Sequence, residues 1–203
     1  DDAVLYPVPS WNNDAYTCLS RNNSVILETK SENRFMPTAN DIKPHEQNVN
    51  LIALCSPLNP TGTTFKKGAL LEISQLVIEE NKRRAANNIK PLYVLYDQIY
   101  WQLTYGDTVH YNPVELVPEM REFTIFVDGI SKAFAATGVR VGWQFAGSPF
   151  TFHGGAYNAS GETMKSFLAS DETIAGRTFK NQEVSGLSDL VYLARLETHG
   201  DLG

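Results

Sequence analysis

Apolar residues are distributed along this chain in two ways. The stretches "VNLIALCSP" (49–57), "PLYVLYD" (91–97) and "FTIFVDG" (123–129) are short and almost uninterrupted. Runs of that length suit strands buried on both faces, which leave no solvated side for polar residues to occupy. "AVLYPVP" (3–9) predicts a shorter strand, and "SVILETK" (24–30) another with alternating apolar positions. Between Lys67 and Asn88 the spacing changes: Leu70, Ile73, Leu76 and Val77 recur at three and four, which predicts a helix with one apolar stripe. Its later half, Glu79 to Arg84, is polar, and the basic run Lys82-Arg83-Arg84 is expected as a solvated face. "WNNDAYTCLSRN" (11–22) predicts a further helix, and "NPTGT" (59–63) a sharp break. Strand, helix, strand with such apolar strands indicates an α/β fold, a mostly parallel sheet covered by helices.

Ligands of such sheets gather beyond the carboxyl ends of the strands. The polar and aromatic residues just after each apolar run are therefore the candidates: Trp11, Asn59, Asp97 with Tyr100, and Ser131 with Lys132. After about Pro149 the texture changes to a Gly-rich, polar stretch, with strong periodicity only in "LSDLVYLARLE" (187–197). Residues 1–148 and 149–203 are accordingly read as two parts, the second a tail.

Composition narrows the classes. With 203 residues, 42% apolar and 20% charged, the chain can bury a substantial core. No apolar run is long enough for a membrane span. A net charge of -6 without a basic stripe makes nucleic acid an unsuitable partner. Two cysteines, Cys18 and Cys55, are too few for a disulfide scaffold, and Cys55 is expected as a small buried thiol. The four histidines are scattered and show no metal-ligand spacing. The chain opens "DDAVLYPVPSW", with no basic-then-apolar leader, which points to a cytoplasmic fragment or processed form.

Four short motifs carry a resemblance. "PSW" (9–11), "NPTG" (59–62), "YDQIY" (96–100) and "SKAFAATGVRVGW" (131–143) occur in this order, each after a predicted strand. The chain resembles the class I/II aminotransferases, pyridoxal-phosphate-dependent proteins of fold type I, over about residues 1–148. The resemblance implies part of the three-layer α/β large domain of that family. It implies transfer of an amino group between an amino acid and a 2-oxo acid, and, where the full family pattern holds, a homodimer.

The same resemblance assigns the residues. Lys132 would bind pyridoxal 5'-phosphate as a Schiff base and act as general base; only an amine captures the aldehyde in this way. Asp97 would hold the cofactor's ring nitrogen protonated, since a carboxylate nearby favours the charged form. Asn59 and Tyr100 resemble the pair bonded to the cofactor's phenolic oxygen, and Trp11 the aromatic stacked on its ring. Arg140 resembles the arginine that grips the phosphate with a planar fork, and Ser131 would add a hydroxyl beside the lysine. Taken singly, each residue has a plainer reading: a turn-forming aspartate, a core tryptophan, a turn asparagine, a surface lysine. An Asn59–Pro60 cis peptide is also compatible with the motif.

The sequence departs from the family pattern in places. Where relatives carry a serine three positions before the lysine, this chain has Gly129, leaving a backbone amide to take the hydroxyl's place. The phosphate-cradling turn lies upstream of "PSW" in the family and is not matched. Neither Arg177 nor Arg195 matches the arginine that binds the substrate's α-carboxylate. An incomplete PLP-fold module that binds without turnover is therefore the alternative reading. "HGG" (153–155) has no accompanying G-x-S-x-G nucleophile, and "GTTFKKG" (62–68) has its lysine and second glycine in the wrong order for a nucleotide phosphate loop.

Overall fold

In a computed structural model, residues 2–11, 13–14, 17, 22–138, 141–146, 154–157, 163–167, 172–174, 177–183 and 192–195 are described. Five strands run parallel: β1 (Ala3–Val8), β2 (Asn23–Glu28), β3 (Leu51–Cys55), β4 (Tyr93–Asp97) and β5 (Thr124–Gly129). Their spatial order is β2-β1-β3-β4-β5. Beyond β5 the sheet continues antiparallel through β6 (Val141–Ala146), β7 (Gly154–Tyr157) and β8 (Thr163–Phe167). A separate antiparallel set comprises β9 (Glu172–Ile174), β10 (Arg177–Glu183) and β11 (Tyr192–Arg195). The mostly parallel first part agrees with the sequence. The strands after residue 149 were not legible there; β7, for one, opens on Gly154-Gly155 and shows no apolar alternation.

The continuous apolar runs form strands covered on both faces. Leu5, Ile52, Leu54, Val94 and Tyr96 enter the main core, where they meet Leu70, Ile73 and Val77 of helix α2 (Lys67–Ala86). Val4, Tyr6 and Ala53, of opposite parity along the strands, form a second buried cluster on the other face. Each fully buried leucine, isoleucine or valine of α2 contributes at most about 1.5–3 kcal/mol by removal from water. Strand β2 lies at the edge, with Leu27 buried and Ile26 exposed. Of the helix expected over 11–22, Asn13, Asp14 and Thr17 are described and helical, with the Thr17 hydroxyl donating to the Asn13 carbonyl at 2.8 Å. Trp11 and Asn22, at the ends of that span, are not helical, and residues 12, 15–16 and 18–21, Cys18 among them, lie outside the described residues.

The short helices end the connections. Helix α1 (Ala39–Ile42) starts in a capping box, the Thr38 hydroxyl accepting from the Asp41 N–H while the Asp41 carboxylate accepts from the Thr38 N–H. Helix α2 stops where Asn88 takes a left-handed conformation (φ 55°) and the Ile89 N–H donates to the Arg84 carbonyl at 2.9 Å. Helix α3 (Pro113–Leu116) follows an Asn112 cap, and α4 (Ile130–Ala133) leaves the end of β5.

One expectation for α2 is corrected. The basic run is a solvated face only in part: Lys82 is exposed, whereas Arg84 is 1% exposed and buried with Glu80 and Asn81. Arg84 donates to the Glu80 carboxylate at 2.7 Å and to the carbonyls of Glu46, Val49 and Lys90. Asn81 exchanges two hydrogen bonds with the backbone of Leu92, at 2.9 and 2.7 Å. These side chains close the backbone of the turns that enter β3 and β4, and a buried polar group is stable when so satisfied. Among the described residues no helix is long and apolar enough to cross a membrane.

Candidate active site

Because β1, β3, β4 and β5 are parallel, their carboxyl ends share one edge of the sheet, and each delivers a short turn to it. Trp11 follows β1 by way of Pro9-Ser10, and Asn59 follows β3. The turn after β3 is shaped by Gly62 in the left-handed region (φ 69°), whose N–H donates to the Leu58 carbonyl at 2.7 Å. Val8–Pro9, Ser56–Pro57 and Asn59–Pro60 are cis, the last as the motif allowed. Asp97 is the last residue of β4, with Tyr100 in the following turn, and Ser131 and Lys132 lie on α4.

These turns enclose a pocket of about 590 Å³, and Trp11, Asn59, Asp97, Tyr100, Ser131 and Lys132 all line it. Its apolar floor comes from Ala53, Leu95 and Val127. The Asn59 side-chain amide donates to the Tyr100 hydroxyl at 3.4 Å, so the two polar groups paired by the motifs do meet. The Lys132 ammonium lies 5.8 Å from the centroid of the Tyr100 ring, within cation–π range. Lys132 is exposed as a residue, and Trp11 is 57% exposed at the pocket's mouth. The ammonium is held on the pocket side by the Tyr100 face. Arg140 lies outside the described residues.

Charge in the pocket is unevenly satisfied. The Asp97 carboxylate accepts from the Ile99 N–H at 3.0 Å. Its pKa is pushed above the ordinary carboxylate range chiefly by burial; the Ile99 N–H opposes that shift and the negative charge of Asp128 adds to it. Among the described residues Asp97 forms no ion pair. A carboxylate in that condition faces the cavity with acceptor capacity left over, and a cationic N–H would relieve it.

Besides the apolar lining, Asn13 and Cys55 escaped the sequence reading. Cys55 is half-buried rather than buried. Its side chain neighbours Asp97 across the β3–β4 pairing, a position set by strand parity together with the register of the two strands. Its thiol donates to the Pro57 carbonyl at 3.2 Å and is pushed up to about 12, mainly by burial and then by the Asp97 charge, which makes it inert as a nucleophile. The Gly129 amide, expected to replace a missing serine hydroxyl, is not available for that purpose. It donates to the Asp128 carboxylate at 2.7 Å.

The fold and the site define a class before any relative is considered: a parallel α/β sheet with an amine, a desolvated carboxylate and a Tyr–Asn pair around a ring-sized cavity at its switch edge. A family model for aminotransferase class I and II matches residues 1–173. Aspartate aminotransferase of Pinus pinaster is 37% identical over 147 residues, covering 70% of this chain and 27% of the relative. Glutamate-pyruvate aminotransferase of Haemophilus influenzae is 30% identical over 152 residues, covering 73% and 34%. The solved aromatic aminotransferase from Pyrococcus horikoshii superposes with a TM-score of 0.60 at 31% identity, covering 70% of this chain and 35% of that one. A PLP-bound C–S lyase from Staphylococcus hominis shares the fold alone, at 20% identity and a TM-score of 0.58.

The chain belongs to the class I and II aminotransferase family. Members of this family depend in general on pyridoxal 5'-phosphate. The chain spans about a third of the length of the curated relatives it matches.

Proposed function

We propose that this chain is the cofactor-holding core of an aminotransferase that moves an amino group between an amino acid and a 2-oxo acid. The observation that carries the reading is the convergence of Lys132, Asp97, Asn59, Tyr100, Ser131 and Trp11, from four separate strand ends, on one pocket. The donor set suits pyridoxal 5'-phosphate. The cavity admits an aromatic ring, Asp97 is a half-buried acceptor with no ion pair among the described residues, and an amine stands at the mouth.

When bound, pyridoxal 5'-phosphate supplies an electron sink for the pair released from the substrate's α-carbon. Lys132 Nζ would hold the aldehyde and would serve as the base for the α-carbon proton. Asp97 holds a proton on the ring nitrogen, where its desolvated charge is most effective. The Tyr100 hydroxyl and the Asn59 amide donate toward the phenolic oxygen and stabilise its negative charge. Trp11 would flank the ring at the pocket's mouth, and Ser131 lines the pocket next to the lysine. Arg140 is the proposed partner of the phosphate, by the family motif alone.

Reduction with borohydride after adding pyridoxal 5'-phosphate tests the reading. A stable adduct mapped to Lys132, and lost in K132A, is the expected result; no adduct, or one elsewhere, overturns it. A second reading, a module that binds cofactor without turnover, is favoured by the exposure of Trp11 and Lys132 at the mouth. Release of a 2-oxo acid on adding amino acids separates the two, the enzyme giving product and the module none.

A further inference from the structure

Behind the pocket, on the opposite face of the sheet, lies a buried carboxylate to which the family motifs assign nothing. Asp128 is 7% exposed. Parity places it there: Val127 pairs with Asp97 and faces the pocket, so the next residue of β5 faces away. Its carboxylate accepts from three donors: the Gly129 N–H at 2.7 Å, the Trp101 indole N–H at 2.9 Å and the Gln98 amide at 3.4 Å. Gln98 and Trp101 are the outward-facing residues of the turn whose inward-facing ones are Asp97, Ile99 and Tyr100. Gly129 leads into α4, which carries Ser131 and Lys132.

We propose that Asp128 is a positioning residue that clasps the Asp97–Tyr100 turn to the Lys132 turn from behind, and so sets the spacing of Tyr100 and Lys132. The inference rests on the reading of the pocket as a cofactor site. A single carboxylate bonded to both turns limits their freedom to separate, and without it the backbone ladder of β4 and β5 and the Lys132–Tyr100 contact remain among the described links. The bond from Gln98 N–H to the Val127 carbonyl, at 3.0 Å, is the last rung of that ladder, so the clasp acts where the ladder ends. Trp101 is steadied in turn: its ring lies 6.2 Å from that of His110, whose Nε2 donates to the Ser56 carbonyl at 3.1 Å. Ser56 follows β3, so the clasp is tied to the Asn59 turn as well.

Asp128 also carries charge, and the test must separate spacing from charge. The probe is pyridoxal 5'-phosphate itself, and the readout is the pH midpoint of the visible band of the lysine-bound cofactor. Trp101→Phe keeps an aromatic ring and removes one donor without changing any charge. If the clasp holds Tyr100 in place, Trp101→Phe weakens donation to the phenolic oxygen and raises the midpoint by about half a pH unit, roughly threefold in proton affinity. Asp128→Asn alters both spacing and charge, and Trp101→Phe added to it causes no further shift, because the contact is already broken. A band whose midpoint is unmoved by Trp101→Phe, with cofactor still bound, overturns the role of Asp128 and leaves the site intact. A chain that gives no band at all overturns the reading of the pocket, and the role of Asp128 with it.

Discussion

At the later end of α2 the Arg84 guanidinium is out of water, and carboxylate or carbonyl oxygens meet it on several sides. At the end of β4 the Asp97 carboxylate is half-buried, with one backbone N–H and an open cavity before it. Both are charges on well-packed elements a few residues from an apolar core. They differ in what remains to be bonded. A satisfied buried charge holds the chain together, whereas a charge left short of partners raises the free energy of the empty fold and lowers it when a complementary ligand arrives. The first arrangement is structural, and the second is what a binding site requires.

The largest effect is expected from breaking the satisfied region. Replacing Arg84 by alanine leaves three backbone carbonyls without their donor and Glu80 with Arg83 as its remaining partner, and urea denaturation is expected to show a loss of about 3–5 kcal/mol. A loss below about 1 kcal/mol would place water at that site and remove one side of the contrast.

The next effect sharpens the other side. Asp97→Asn keeps the shape of the pocket and removes the charge that a ring nitrogen would meet. Affinity for pyridoxal 5'-phosphate is expected to fall roughly 10- to 100-fold, the size of one hydrogen bond between charged groups. The fold itself loses nothing, because the substitution removes a desolvation cost. Equal affinity in equilibrium titrations of the two proteins would refute the assignment.

Their contrast extends to pH. Glu80 is held below the ordinary carboxylate range, first by its bond from Arg83, against burial, and then by Arg84. It therefore adds stability above the ordinary carboxylate value of about 4, and that stability is lost as pH falls through the lowered value. Asp97 is held above that range by burial, so its contribution is complete below about 4 and is lost as pH rises through the raised value. Urea midpoints across the acid range are expected to show the wild type's advantage over Glu80→Gln shrinking toward low pH. Asp97→Asn is expected to match the wild type at low pH and exceed it at neutrality. Parallel profiles for both variants would mean the two carboxylates share one environment.

This difference also explains which parts were legible in the sequence. The strands were, because an uninterrupted apolar run has few other homes, and so were the pocket residues, because each follows a strand in a motif of fixed spacing. Arg84 and Lys82 look alike in a polar helical stretch, and nothing local records that the turn at 46–49 and the residues at 90–92 bring carbonyls to one and not the other. Cys55 and Asp128 are set by strand parity and by register with β4, which depend on which strands become neighbours. From the sequence, Gly129 offers a backbone amide in place of a missing hydroxyl. Its amide is bonded to the side chain of the residue before it, a local contact visible only once the turn is built.

The smallest prediction concerns the basic run itself. Lys82, Arg83 and Arg84 are consecutive, yet a helix advances each by a third of a turn or so, and they face three environments. Lys82 is exposed, Arg83 pairs with Glu80 at the surface with both nitrogens at 2.7 Å, and Arg84 is sealed beneath. Lys82→Ala is expected to change stability by no more than about 0.5 kcal/mol, as exposed substitutions do. Arg83→Ala is expected to fall between its neighbours and to lose part of its effect in high salt, which screens the exposed guanidinium. The effect of Arg84→Ala should be nearly independent of salt, since its partners are mostly carbonyls in a dry interior. Comparable effects at 82 and 84, or a salt-sensitive effect at 84, would mean that the run is the solvated face its composition suggests.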